Sequence, residues 1–172
     1  MLIKMINIRT ATPADLPQVL ELMRDLAAFE DYLDTFAVDL GELDSRAFGP
    51  GAQCRIFVAE RAETLAGYAV VLEIPFTYDL RPTVILKELY VRATDRSEGT
   101  GTRLLESVTT WALSKGAGRL HWDVLTGNQH AERFYQRHGG QRVRKWIAYQ
   151  MDEAKLIELQ ARSQQPEALA DR

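Results

Sequence analysis

Residues 83–125 constrain the fold more than any other stretch of this chain. Thr83-Val84-Ile85-Leu86-Lys87-Glu88-Leu89-Tyr90-Val91 is rich in β-branched and aromatic residues and reads as a strand. A glycine-bearing loop follows, Arg96-Ser97-Glu98-Gly99-Thr100-Gly101, and then Leu104, Leu105, Val108, Trp111 and Ala112 recur at helical spacing. The helix spans about 100–115 and stops near Gly116 and Gly118, after which Leu120-His121-Trp122-Asp123-Val124-Leu125 reads as another strand. Two strands joined by a crossover helix lie parallel, with the helix on one face of their sheet.

The segments on either side supply antiparallel partners. Residues 53–60 and 65–75 read as a hairpin around a short polar turn, and 5–10 as an opening strand. Thr12-Pro13-Ala14-Asp15 has the chemistry of a helix start, with Thr12 as cap, Pro13 in the first turn and Asp15 favourable to the dipole. Leu16, Val19, Leu20, Met23, Leu26 and Ala27 then form one apolar stripe, which must pack on a sheet. A shorter helix is expected over 39–47, ended by Gly49-Pro50-Gly51. Downstream, 128–138 reads as a helix stopped by Gly139-Gly140, 141–151 as a last strand and 153–161 as a last helix. The expected architecture is α/β, a mixed sheet with helices on both faces. Residues 1–161 are expected to form one domain, and 162–172 a polar, disordered tail.

Composition narrows the class. Hydrophobic residues make up 46% and charged residues 26% of 172 residues, as in soluble globular domains. No apolar run approaches a membrane span, and the apolar start Met1-Leu2-Ile3-Lys4-Met5-Ile6 is too short for a signal peptide. The single cysteine, Cys54, excludes an internal disulfide and suits a reducing cytoplasm. A net charge of −3 argues against bulk affinity for nucleic acid, and three scattered histidines give no zinc pattern, so no metal is expected.

The glycine loop is where chemistry enters. Gly99 and Gly101 stand where the first backbone N–H groups of a helix point outward, a setting that favours an anion such as a pyrophosphate. No Lys-Ser or Lys-Thr follows, so this is not a Walker loop, and a dinucleotide fingerprint would need a third glycine. Taken with Asn128-x-x-Ala131-x-x-Phe134-Tyr135-x-x-x-Gly139 one strand and one helix later, the pattern resembles the GNAT superfamily of acetyl-CoA-dependent N-acetyltransferases over roughly residues 6–152. That resemblance implies a mostly antiparallel central sheet with a splayed parallel strand pair. It implies that acetyl-CoA is held by the backbone of Arg96, Ser97, Glu98, Gly99, Thr100, Gly101 and Thr102, with Arg96 or Arg103 adding charge. It further implies that Leu89, Tyr90 and Val91 hold the pantetheine and the thioester carbonyl, and that Asn128 and Phe134 border the cofactor. Asn128 also reads as a plain helix cap. Tyr135 by periodicity is a core tyrosine; by resemblance it is the acid that protonates the leaving thiolate, and its phenol remains protonated at neutral pH.

A narrower likeness concerns the amine. Leu22-Met23-Arg24-Asp25-Leu26-Ala27-Ala28-Phe29-Glu30, Gly67-Tyr68-Ala69 with Phe76-Thr77-Tyr78-Asp79, and Trp146-Ile147-Ala148-Tyr149-Gln150-Met151-Asp152 resemble the spermidine/spermine and thialysine N-acetyltransferases, a branch that is usually dimeric. Phe29 and Glu30 are then expected at the substrate. Glu30 continues the apolar stripe, and an acid in a last helical turn opposes the dipole; the alternative is a solvated helix end. That branch carries Glu then Asp on the central strand where this chain has Lys87 then Glu88. Strict alternation sends Lys87 and Glu88 to opposite sides. Either Glu88 acts as base through a bulge or a water, or the substrate differs and Lys87 pairs with a substrate carboxylate. The reading is an N-acetyltransferase acting on a small primary amine by direct attack, with a protein amine as the alternative substrate. A non-catalytic acyl-CoA-binding module is the alternative class. Cys54 lacks a neighbouring His base and reads as a core residue.

Overall fold

The structure, a computed structural model, describes residues 6–163; Met1–Met5 and the end of the expected tail, 164–172, lie outside the described residues. The chain divides into two compact units, Met1–Gly127 and Asn128–Arg172.

The first unit is a five-stranded sheet in the order β1-β2-β3-β4-β5. Its strands are β1 (Asn7–Thr10), β2 (Arg55–Arg61), β3 (Thr64–Ile74), β4 (Thr83–Val91) and β5 (Arg119–His121). All neighbours are antiparallel except β4 and β5, which are parallel as the crossover requires. Helix α1 (Leu16–Phe29) and helix α2 (Leu40–Ala47) lie on one face. There Val19, Leu22, Leu26 and Leu43 share a core with Ile56, Val58, Tyr68 and Val70. Helix α3 (Thr100–Ser114) covers the other face with Leu104, Leu105, Val108 and Ala112. The run Ile56, Phe57, Val58, Ala59 is buried without interruption, as a strand covered on both faces must be. Burial of Ile56, Phe57 and Val58 contributes about 1.5–3 kcal/mol each.

The start of α1 is built differently from a simple cap. Residues 13–15 form a 3-10 turn before the helix, and the Asp15 carboxylate accepts from the Thr12 backbone N–H at 2.7 Å and the Thr12 hydroxyl at 2.8 Å. The Arg9 guanidinium from β1 donates to the same carboxylate at 2.7 and 2.8 Å, and to Glu60 at 2.9 Å. One buried acid therefore ties the first strand to the first helix. Hydrogen bonding from Arg9 holds its carboxyl well below the usual carboxylate range despite burial.

Two irregularities in the sheet matter below. The β2–β3 register slips at Ala59/Glu60, leaving Ala66 extra on β3, and the Ala66 carbonyl accepts from the Arg92 backbone N–H at 2.8 Å. The β3–β4 register slips between Val70 and Val71: Val70 faces Glu88, Val71 faces Leu86, and Lys87 is the unpaired residue of a β-bulge. The second unit holds α4 (Gln129–Arg137) and α5 (Glu153–Ser163). The expected strand at 141–151 is absent. The described part of this unit has no other strand, and alternating side chains without a hydrogen-bonding neighbour do not make a ladder. The expected strand at 120–125 is shortened to Arg119–His121 for the same reason, since its pairing with β4 ends at Ile85.

Candidate active site

The parallel pairing of β4 with β5 covers three residues and ends at Ile85. The β4 strand runs on past that pairing through half-buried Leu89 and Tyr90 to buried Val91. On the β3 side the same strand is pressed close. A Cβ on Gly67 would lie 2.5 Å from the Tyr90 carbonyl oxygen and 3.1 Å from the Val91 Cα.

The loop after β4 turns through two left-handed residues, Ser97 at φ 68 and Gly99 at φ 79, and Gly99 caps α3 with no side chain over the helix end. Thr100 is buried, its hydroxyl donating to the Asp95 carbonyl at 3.2 Å. Arg61 at the end of β2 anchors the loop by pairing with Asp95 at 3.1 Å and with Glu98. Such a helix start fits a pyrophosphate: backbone N–H groups at the positive end of the helix dipole, and no Cβ at the cap. The two candidate arginines are engaged elsewhere. Arg96 donates to the Val91 carbonyl at 2.9 Å and lies 5.7 Å from the Tyr90 ring centre, and Arg103 donates to the Ile6 carbonyl. Thr102 follows in the first turn of α3, at the edge of the buried stripe.

The opposite side of β4 carries titratable groups. The bulge at Lys87 shifts the phase of the strand: Leu86 shares a face with Val71, whereas Glu88 shares one with Val70 and Tyr68, the face covered by α1. Strict alternation therefore fails across Lys87, which is exposed and whose charge acts on Glu88. The buried Tyr68 hydroxyl donates to the Glu88 carboxylate at 2.8 Å. Helix α1 ends in a Schellman turn. The Tyr32 N–H reaches the Ala27 carbonyl at 2.9 Å and the Asp31 N–H the Ala28 carbonyl at 3.4 Å, with Asp31 left-handed at φ 61. This turn sets Glu30 at the C-cap and carries Tyr32 back, so both act electrostatically on Glu88 or are acted on by it. Phe29 is 55% exposed at the same helix end.

Burial pushes the Glu88 carboxyl up; the Tyr68 hydrogen bond and Lys87 pull it down, and Glu30 adds to the rise. Burial and the Glu88 charge push the Tyr68 phenol far up, and Tyr32 rises for the same reasons. The Cys54 thiol is also pushed up by burial, then by Glu88, so it is held as a thiol and is a poor nucleophile. The arrangement can accept a proton at Glu88 and attract a cation at Glu30 and Glu88. Sequence reading reached Glu30 and Glu88 but missed Tyr68 and Tyr32. Tyr68 is visible only through the hairpin register, and Tyr32 only through the helix-ending turn.

In the second unit, the Asn128 side chain accepts from the Ala131 N–H at 3.1 Å, capping α4. Phe134 and Tyr135 meet edge-on with ring centres 5.1 Å apart. The Tyr135 carbonyl accepts from the Gly140 N–H at 2.9 Å, beside left-handed Gly139. Among the described residues, no three His, Cys, Asp or Glu side chains form a metal-binding group, and no helix is long and apolar enough to cross a membrane.

A five-stranded mixed sheet with one short parallel pair, and a glycine-capped helix after the longer strand of that pair, defines an acetyltransferase of the GNAT class. Residues 21–140 match the family described as acetyltransferase (GNAT) family, and the chain belongs to it. It is similar to the thialysine N-epsilon-acetyltransferase of Mus musculus, 26% identical over 167 residues that cover 91% of this chain and 98% of that protein. It is also similar to the human spermidine/spermine N(1)-acetyltransferase-like protein 1, 26% identical over 77% of this chain but only 20% of that longer protein. Among solved structures, an aminoglycoside N-acetyltransferase, AAC(6')-Iy, in complex with CoA superimposes with a TM-score of 0.68 at 21% identity, covering 86% of this chain and 95% of that one.

Proposed function

We propose that this chain transfers the acetyl group of acetyl-CoA to a primary amine of a small molecule of the lysine, thialysine or polyamine kind. The observation that carries this reading is the Glu88 carboxylate, held on the α1 face and within the field of Glu30, on the strand whose pairing with β5 ends at Ile85. Acetyl-CoA supplies an acetyl group activated as a thioester. The backbone of 96–102 would hold its pyrophosphate, with Gly99 allowing close approach. The backbone of Leu89, Tyr90 and Val91 would hold the pantetheine and offer a donor to the thioester oxygen, where negative charge develops. Asn128 and Phe134 complete this reading as cofactor neighbours.

An alkylammonium near its ordinary pKa of about 10 must lose a proton before it can attack. Glu88 takes that proton directly or through a water, while Glu30 and Phe29 bind the cation and its alkyl stem. The amine nitrogen bonds to the acetyl carbon, the carbon–sulfur bond breaks, and Tyr135 gives its phenolic proton to the thiolate. No acyl-enzyme is required, in keeping with a Cys54 held as the thiol.

The exposed Lys87 ammonium, close enough to act on Glu88, favours a substrate that carries a carboxylate as well as an amine. The branch resemblance further suggests a homodimer working in the cytoplasm, and light scattering reads the oligomeric state. The functional test is acetyl-CoA turnover across spermidine, spermine, diamines, lysine, thialysine and short peptides, in wild type and Lys87→Glu. Lysine or thialysine as the best substrate, with Lys87→Glu shifting preference toward polyamines, is expected. Acetyl-CoA binding without turnover on any amine would leave only a non-catalytic acyl-CoA module. Peptides as the best substrates would move the reading to a protein amine.

A further inference from the structure

We infer that Tyr68 is a positioning residue for the proton acceptor: its buried phenol fixes the Glu88 carboxylate toward the α1 end of the site and keeps it available to take the proton of the amine. The inference rests on the reading of Glu88 as that acceptor. Three observations support it. The Lys87 bulge turns Glu88 onto the face where Tyr68 stands, two residue pairs further along the ladder: Val70 opposes Glu88, and Tyr68 opposes Tyr90. Tyr68 is fully buried, so its hydroxyl needs a partner within the protein, and the one it takes is the carboxylate at 2.8 Å. The groups around Glu88 divide by sign. Glu30 from the end of α1 disfavours a second negative charge, as burial does, while Lys87 and the Tyr68 hydrogen bond favour it. Tyr32 from the turn after α1 and Cys54 before β2 face the same carboxylate as neutral groups. Tyr68 is thus the neutral donor that opposes the rise which burial and Glu30 impose on the half-buried Glu88 carboxyl, while the high pKa of its own phenol stops it from giving up the proton.

Removing the hydroxyl alone should raise the Glu88 pKa by about one pH unit, the usual consequence of losing a hydrogen bond to a charged group. In Tyr68→Phe, the ratio of mutant to wild-type kcat/KM should therefore fall about tenfold on the acid side and return toward one at alkaline pH. The amine's own titration cancels in this ratio. KM for acetyl-CoA should not move. Carbon-13 NMR of the Glu carboxyls, with Glu88 assigned by its loss in Glu88→Gln, should show the same upward shift. If Tyr68→Phe does not fold, the wild type still decides: the Tyr68 ring carbon bearing the hydroxyl should titrate in step with Glu88, and this step should vanish in Glu88→Gln. An unshifted Glu88 titration in Tyr68→Phe, or a Tyr68 signal blind to Glu88, overturns the inference. A shifted titration with an unaltered rate profile in Glu88→Gln overturns instead the reading of Glu88 as acceptor, and with it the catalytic purpose of the contact.

Discussion

Gly67→Ala is the substitution whose cost follows most directly from the geometry. The added methyl carbon would lie 2.5 Å from the Tyr90 carbonyl oxygen, 3.1 Å from the Val91 Cα and 3.2 Å from the Val91 Cγ2. A carbon and a carbonyl oxygen normally approach to about 3.3 Å at closest, so β4 must retreat from β3 by roughly 0.8 Å. Two of the three obstructing atoms are backbone, and no rotamer change relieves them. The strand is also held near its end by the Arg92 N–H on the Ala66 carbonyl at 2.8 Å and by Arg96 on the Val91 carbonyl at 2.9 Å. Overpacking of this kind costs about 1–3 kcal/mol. The gain from a less flexible unfolded chain offsets only about 0.4–1 kcal/mol when glycine becomes alanine, so the clash decides the sign. For a net loss of about 1–2 kcal/mol the Tm should fall by roughly 2–8 °C, read by thermal or urea unfolding. Any residual displacement lands on Tyr90 and Val91, the backbone proposed to carry the thioester. Misplacement by about 1 Å can cost up to 100-fold in rate, so kcat/KM for acetyl-CoA should fall well before the protein unfolds. A variant as stable as wild type refutes the steric argument; a destabilised variant with unchanged kcat/KM, assayed where it is folded, refutes the role of β4.

Three further expectations rest on separate parts of the molecule. Gly99→Val forces a β-branched residue into φ 79, a conformation costing roughly 1–2 kcal/mol even for ordinary residues, and places a side chain over the α3 cap; calorimetry should show weaker acetyl-CoA binding, and unchanged affinity removes the pyrophosphate from this loop. Tyr135→Phe retains the ring pair with Phe134 and removes the hydroxyl, so kcat should fall roughly tenfold or more with little change in KM; an unchanged kcat with chemistry rate-limiting makes Tyr135 a packing residue. Asp15 has a folded pKa below its unfolded one, chiefly through Arg9, so the unfolded chain takes up the proton first as pH falls. Its contribution is full above about pH 4 and is lost as pH drops through the folded value. Asp15→Asn should therefore cost about 2–4 kcal/mol near neutrality and flatten the acid side of the stability curve; urea midpoints that fall equally with pH in both proteins would contradict this.

What was legible in the sequence was local, or depended on a connection whose geometry has one solution. The β4–loop–α3 unit falls at its expected residues because strand composition, glycine chemistry and helical spacing all lie within a few turns of each other. The parallel pairing of β4 with β5 follows from the crossover alone. Reading failed where an element depends on its partner. Residues 141–151 read as a strand, but a ladder needs a neighbour, and none stands in the described part of that unit.

Lys87 is the more consequential case, because a bulge is a property of two strands, and Leu86-Lys87-Glu88-Leu89 leaves it as one alternative among others until the β3 register is known. Counting by twos puts Leu86 and Glu88 on one face; the observed pairing puts them on opposite faces and lets Lys87 project from the discontinuity. The change of phase delivers Glu88 to Tyr68, Glu30 and Tyr32 instead of to the α3 core. A residue that pairs with nothing in the ladder is also the one most easily replaced. On the proposed reading, substrate preference can therefore drift at Lys87, toward a carboxylate or away from it, while the Tyr68–Glu88 contact one residue away stays as it is.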